Sequence, residues 1–172
     1  MRDLPIRTGR LTLRQMTPAD APRFHGLVTR PEVARMLYIF HPGWPLAEAG
    51  PFLDEWAWRG ALKFRLAVEE NGLWRGWIGV DDAEEPEIFY ALEPDAAGRG
   101  LAREAVAAFT GFLFGRFDMP ALTAGVFHDN PASMKVLRVC GFEQTGVAPH
   151  LSRGRPGPAP CHMFRLPRPA AG

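Results

Sequence analysis

The sequence predicts an α/β (α+β) domain built on a central mixed, mostly antiparallel sheet flanked by helices. Three observations carry that expectation. Segments follow one another in the order strand, two or three helices, three meandering strands, helix, strand, helix, strand, strand, whereas a doubly wound nucleotide fold would alternate the two throughout. The chain has 172 residues, the size of one domain, with a core expected over residues 8–166. Hydrophobic residues make up 47% and charged residues 23%, which suits a folded chain rather than a disordered one.

Arg10–Arg14 alternates apolar and polar residues and reads as the first strand. Thr17-Pro18 has the pattern of a helix cap followed by proline at the first helical position, and Phe24, Leu27 and Val28 share the face of the helix that follows. Arg30-Pro31-Glu32 opens a second short helix with Val33, Met36 and Leu37 as its apolar side. Between Leu46 and Trp58, the residues Ala49, Phe52, Leu53 and Trp56 recur at helical spacing, although Gly50-Pro51 weakens the first turn. Three strands are expected next: Leu62–Glu69, Leu73–Val80 and Glu87–Leu92. Asn71-Gly72 is a hairpin signal between the first two. Leu101–Phe117 carries Ala102, Ala105, Val106, Phe109, Phe112 and Leu113 on one helical stripe. A strand over Leu122–Phe127, a helix over Pro131–Cys140 stopped by Gly141, and strands over Phe142–Val147 and Cys161–Leu166 complete the chain. The tail from Pro167 to Gly172 is expected to fray.

Charge and cysteine usage narrow the function classes. Twenty Lys and Arg against nineteen Asp and Glu give a net charge of +1, without the electrostatic footprint of a nucleic-acid or anionic-membrane binder. The longest nearly apolar run, Ala105 to Gly115, is far short of the ~20 residues that span a bilayer, and the N-terminus has no apolar stretch resembling a signal peptide. Cys140 and Cys161 lack metal-ligand spacing, so reduced thiols, a cytoplasmic location and no metal site are expected. Residues 81–98 hold seven acidic residues and no Lys or Arg, either a solvated loop or a patch attracting a cationic acceptor. Arg153, Arg155, Arg165 and Arg168 make the last 22 residues basic, able to meet phosphate or nothing.

Two segments carry chemistry. Asp95-Ala96-Ala97-Gly98-Arg99-Gly100-Leu101-Ala102 places a Gly-x-Gly turn between a strand and a helix start. Such a turn lets backbone approach a ligand, and the free N–H groups of the helix attract an anion. An ordinary turn with two permissive residues is the alternative. It is not a P-loop, which needs Gly-Lys-Ser/Thr. The second segment is His128-Asp129-Asn130-Pro131-Ala132-Ser133. Asn130 is a good helix cap with Pro131 after it. The Asn130 amide and Ser133 hydroxyl could equally face a ligand beside the strand.

These motifs resemble the GNAT superfamily of N-acetyltransferases: Asp95 to Ala102, Glu104-Ala105, and Asn130-x-x-Ser133 running into Gly141-Phe142. Arg10–Arg14 and Pro31-Glu32-Val33 are similar to its ribosomal-protein N-terminal acetyltransferase branch. The resemblance covers about residues 8–150 and implies a sheet splayed between the fourth and fifth expected strands. It implies that backbone at Gly98, Arg99, Gly100, Leu101 and Ala102 holds the pyrophosphate of acetyl-CoA. Asp95 stands where the family has Gln or Arg. Ala91 and Leu92 would pair with pantetheine amides, and Asn130 and Ser133 would border the pantetheine and thiol. Many members have a tyrosine seven residues after the asparagine, where this chain has Leu137, and Ser133 is then the expected proton donor to sulfur, unless it only helps cap the helix.

The resemblance further implies acetyl transfer to a primary amine, on a protein N-terminus or a small molecule, by direct attack. A non-catalytic acyl-CoA-binding or regulatory module of the same fold is the alternative, and monomer and homodimer are both open. Glu87 is the expected base, or else a structural carboxylate paired with an arginine. Tyr90 either bonds the acceptor or sits in the core. By strand alternation Glu87 and Tyr90 face opposite sides, so a bulge would be needed for both to serve one site. Tyr38, Phe40, Trp44, Trp56 and Trp58 are candidate walls of an acceptor pocket, with most of them expected in the core. His128 is expected in solvent.

Overall fold

The computed structural model describes residues 3–172. β1 (Ile6–Arg7) and β2 (Leu11–Gln15) lead into α1 (Ala21–Val28), α2 (Pro31–Ala34) and α3 (Ala49–Glu55). β3 (Phe64–Glu70), β4 (Leu73–Val80) and β5 (Ile88–Leu92) follow, then α4 (Leu101–Arg116), β6 (Ala121–Phe127), α5 (Pro131–Val139), β7 (Glu143–His150) and β8 (Ala159–Pro167). The expected single sheet divides into two: five antiparallel strands in the order β1-β2-β3-β4-β5, and three in the order β6-β8-β7. One parallel bridge, Glu87 to Thr123, joins them. β5 and β6 are the fourth and fifth strands expected from the sequence, and the splay falls between them.

Both faces of the larger sheet are covered, which is why β3 is buried along nearly its whole length. Leu66, Val68, Ile78 and Ile88 pack under the Val106, Phe109 and Leu113 stripe of α4. Ala67, Trp77 and Ala91 point the other way, against Phe24 and Leu27 of α1 and Leu53 of α3. Asn71 and Gly72 both have positive φ, 52° and 77°, the backbone of a two-residue hairpin turn whose twist matches the strands. Pro51 is tolerated because it lies in the first turn of α3, where its missing N–H had no helical partner.

Several expectations need correction. β1 is two residues long, too short for a periodicity to reveal. The third helix stops at Glu55 rather than Trp58, because the Trp56 carbonyl accepts the Arg65 N–H at 2.8 Å and ties the chain to β3. Thr17 and Asp20 form a capping box around a 3-10 turn over residues 18–20, and α1 starts only after it. The tail does not fray at Pro167: Pro167 pairs with Ala121, and Arg168 donates to the carbonyls of Phe114 and Met119 at 3.0 and 2.8 Å. That guanidinium occupies the carbonyl end of α4, where a cation is favoured. Two of the other C-terminal arginines are also engaged within the chain: Arg155 with Asp129 at 2.5 Å, and Arg165 with Glu85 at 2.7 Å, which neutralises part of the acidic loop. No helix among the described residues is long and apolar enough to cross a membrane.

Candidate active site

β5 and β6 run parallel and touch at Glu87–Thr123, where the Thr123 N–H donates to the Pro86 carbonyl at 2.8 Å. Beyond that point no ladder joins them, so β5 keeps an open edge through Ala91 and Leu92. A cavity of about 750 Å³ fills the wedge.

At its mouth lies the glycine turn. Gly98 and Gly100 both have φ of 75°, a left-handed backbone that favours glycine. A Cβ at Gly98 would meet open space, whereas one at Gly100 would lie 3.3 Å from Arg10 Nη2. Gly100 is the N-cap of α4, and the first intrahelical donor is Glu104, to the Gly100 carbonyl at 3.1 Å. The N–H groups of Leu101, Ala102 and Arg103 are therefore left facing outward. The turn is clamped from outside. Arg10 donates to the Arg99 carbonyl and to Glu104, both at 2.7 Å, and the Arg99 guanidinium bonds Glu70. Gly98, Gly100, Leu101 and Ala102 line the cavity, but Arg99 does not: its side chain and carbonyl are both engaged by the clamp.

Opposite the turn, Asn130 caps α5 by accepting the Ser133 N–H at 3.3 Å, so the capping reading holds. The Ser133 hydroxyl is not part of that cap. It lies 2.7 Å from the Tyr90 hydroxyl, and both line the cavity with Asn130. Burial pushes the Tyr90 phenol up to about 12, so it stays protonated at neutral pH. Leu137 is fully buried in the core and contributes only an apolar wall. The phenol beside Ser133 thus comes from β5 rather than α5.

Glu87 enters from the other face. Its carboxylate accepts from the Tyr38 hydroxyl at 3.1 Å, and among the described residues no arginine pairs with it. Desolvation pushes its pKa above the ordinary carboxylate value and nearby Asp81 adds to this, while the Tyr38 hydrogen bond opposes them. Tyr38 can come this close because β6 has Gly125 there: a Cβ at that position would overlap the Tyr38 hydroxyl and stand 3.1 Å from Cys161 Sγ. Glu87 and Tyr90 do face opposite sides, but no bulge is needed. Beyond the bridge the sheet is open, and one cavity reaches both.

Tyr38, Phe40 and Trp56 line the cavity, whereas Trp44 and Trp58 are packed elsewhere in the core. His128 is exposed and away from it. Sequence reasoning missed Arg65, Trp77 and Phe89, which line the same end. The available signal was a lone arginine within the otherwise apolar Phe64-Arg65-Leu66-Ala67-Val68.

A family model described as an acetyltransferase (GNAT) domain matches residues 10–143. Among curated proteins, the chain is 27% identical over 150 residues to the uncharacterized N-acetyltransferase YoaA of Bacillus subtilis, a match covering 83% of this chain and 84% of that one. Among solved structures, RimL, a ribosomal L7/L12 alpha-N-protein acetyltransferase in complex with coenzyme A, superposes with a TM-score of 0.78 at 16% identity, covering 95% of this chain and 98% of that one. Spermidine N-acetyltransferase from Vibrio cholerae, in complex with CoA and spermine, superposes with a TM-score of 0.78 at 17% identity, covering 94% and 97%.

Proposed function

The chain belongs to the GNAT family of N-acetyltransferases, whose chemistry is acetyl-CoA-dependent acetyl transfer, and from that premise we propose that it acetylates a primary amine by direct attack, with no covalent enzyme intermediate. The wedge carries this reading, because Glu87 and the Ser133–Tyr90 pair reach one cavity from opposite faces of the sheet.

The residues present fit acetyl-CoA: the turn is open at Gly98, and the adjoining helix start offers unpaired donors. Backbone at Gly98, Gly100, Leu101 and Ala102 would hold the pyrophosphate, with Arg99 serving to fix the turn. The open edge at Ala91 and Leu92 would take the pantetheine amides, with Asn130 and Ser133 toward the thiol. When bound there, acetyl-CoA supplies the thioester. Glu87, directly or through a water, takes a proton from the amine, and its desolvated carboxylate is a better base than an exposed one. The new C–N bond replaces the C–S bond, and Ser133 passes a proton to the departing thiolate as it takes one from the hydrogen-bonded Tyr90 phenol, which solvent then reprotonates.

Spectroscopic detection of free thiol, with mass spectrometry of a panel of amines and N-terminal peptides, tests the reading. Calorimetry with acetyl-CoA runs alongside. Thiol release with a +42 Da acceptor product is expected. Acetyl-CoA binding with no thiol release for any amine would favour a non-catalytic binding module.

A further inference from the structure

Arg65 is the second residue of β3, 4% exposed, with Nε and Nη1 sealed from solvent and lacking a hydrogen-bond partner. Among the described residues no carboxylate pairs with it, and burial alone pulls its pKa down, to about 9, which still leaves it charged at neutral pH. Its stem passes over Gly79 of β4, where a Cβ would stand 2.6 Å from Arg65 Cγ. The guanidinium therefore reaches across the strand and rests among rings, 4.3 Å from the Trp77 centroid and 4.5 Å from those of Trp56 and Phe89. Ring faces compensate a cation in part. They do not replace the acceptors that buried N–H groups require.

The surroundings say what is missing. Arg65, Trp56, Trp77 and Phe89 line the same cavity as Glu87 and Asp81. Glu87, which immediately precedes β5, and Phe89 are two apart and share a face, about 7 Å apart by strand spacing. The cavity thus combines an aromatic wall, the carboxylates of Glu87 and Asp81, and an unanswered cation. We infer that Arg65, through Nη2, the guanidinium nitrogen that is not sealed, receives an oxyanion, carboxylate or phosphoryl, of the acceptor, so that the acceptor is a small molecule with an apolar body, its amine toward Glu87 and its oxyanion several bonds away. The inference rests on the transferase reading only for which end of the ligand is acetylated. A polyamine would meet Arg65 with like charge.

The probes are 4-(aminomethyl)benzoate, its methyl ester and 4-(aminomethyl)benzylphosphonate. Each is titrated calorimetrically into the protein saturated with coenzyme A, and each is offered with acetyl-CoA in a thiol-release assay. At least one oxyanion should bind about tenfold or more tighter than the ester, as a charge-assisted pair implies, and the tighter of the two identifies the source. Arg65→Met should abolish that preference and raise Tm, because it removes an unpaired buried charge. Arg65→Lys, which keeps a cation, should retain part of the preference. If neither oxyanion binds better than the ester, including no binding at all, or if the preference survives in Arg65→Met, the inference falls. An Arg65-dependent preference without thiol release from any probe or amine would uphold it and overturn the transferase reading instead.

Discussion

At the mouth of α4 the wedge is made of main chain: two left-handed glycines, a helix start with unpaired donors, and a clamp of Arg10, Glu104, Arg99 and Glu70 on the outside. Across it, the wedge is made of side chains drawn from five separate stretches, among them Tyr38, Trp56, Arg65, Trp77 and Glu87. The first arrangement suits a ligand part that never changes, since backbone amides offer the same donors whatever side chains surround them. The second suits a ligand part that differs between enzymes, since each side chain is separately replaceable. Substitutions on the two sides should therefore separate cofactor affinity from turnover.

Gly100→Glu is the most severe break. It forces a side chain into a φ of 75° and sets a carboxylate among the donors, and a loss of about 100-fold or more in acetyl-CoA affinity is expected. Calorimetry checks it, and unchanged affinity would remove the turn from the site. On the other side, Glu87→Gln should lower kcat by about 10²–10⁴-fold with acetyl-CoA affinity retained. The base works only when deprotonated, so wild-type kcat should fall as pH drops through Glu87's pKa. That limb lies above the ordinary carboxylate range because burial raises it, and it should vanish in Glu87→Gln.

Tyr90→Phe and Ser133→Ala should each cost about 10–100-fold in kcat, and the double variant little more than the worse single one, because the two hydroxyls act as a pair. Additive losses would show that they act separately. Tyr38→Phe is the mildest. It removes a hydrogen bond that favours the charged form of Glu87, so the ascending limb should move to higher pH while the plateau changes little. A shift to lower pH would contradict the contact.

What was legible follows the same division. The Asn71-Gly72 hairpin, the Gly98-x-Gly100 turn and the Asn130 cap depend on the conformational preferences of adjacent residues, so a local reading finds them. The α4 stripe repeats often enough to be unmistakable. The end of α3 was overextended because Trp56 keeps helical spacing, while the bond that stops the helix comes from Arg65 on a later strand. The basic C-terminal segment was ambiguous because the partners of Arg155 and Arg165 lie 26 and 80 residues away. Tyr90 was placed on its correct face, but its pairing with Ser133 joins residues 43 apart.

The sequence by itself determined the order of elements, the turn at the head of α4 and the kinship those motifs carry, because each arises from neighbouring residues and backbone geometry. Only the tertiary structure decided that Glu87 and Tyr90, on opposite faces, open into one cavity, and that Arg65 lies uncompensated among aromatic rings. Both depend on where strands part and cross, and such distances are set by the packing of the whole chain.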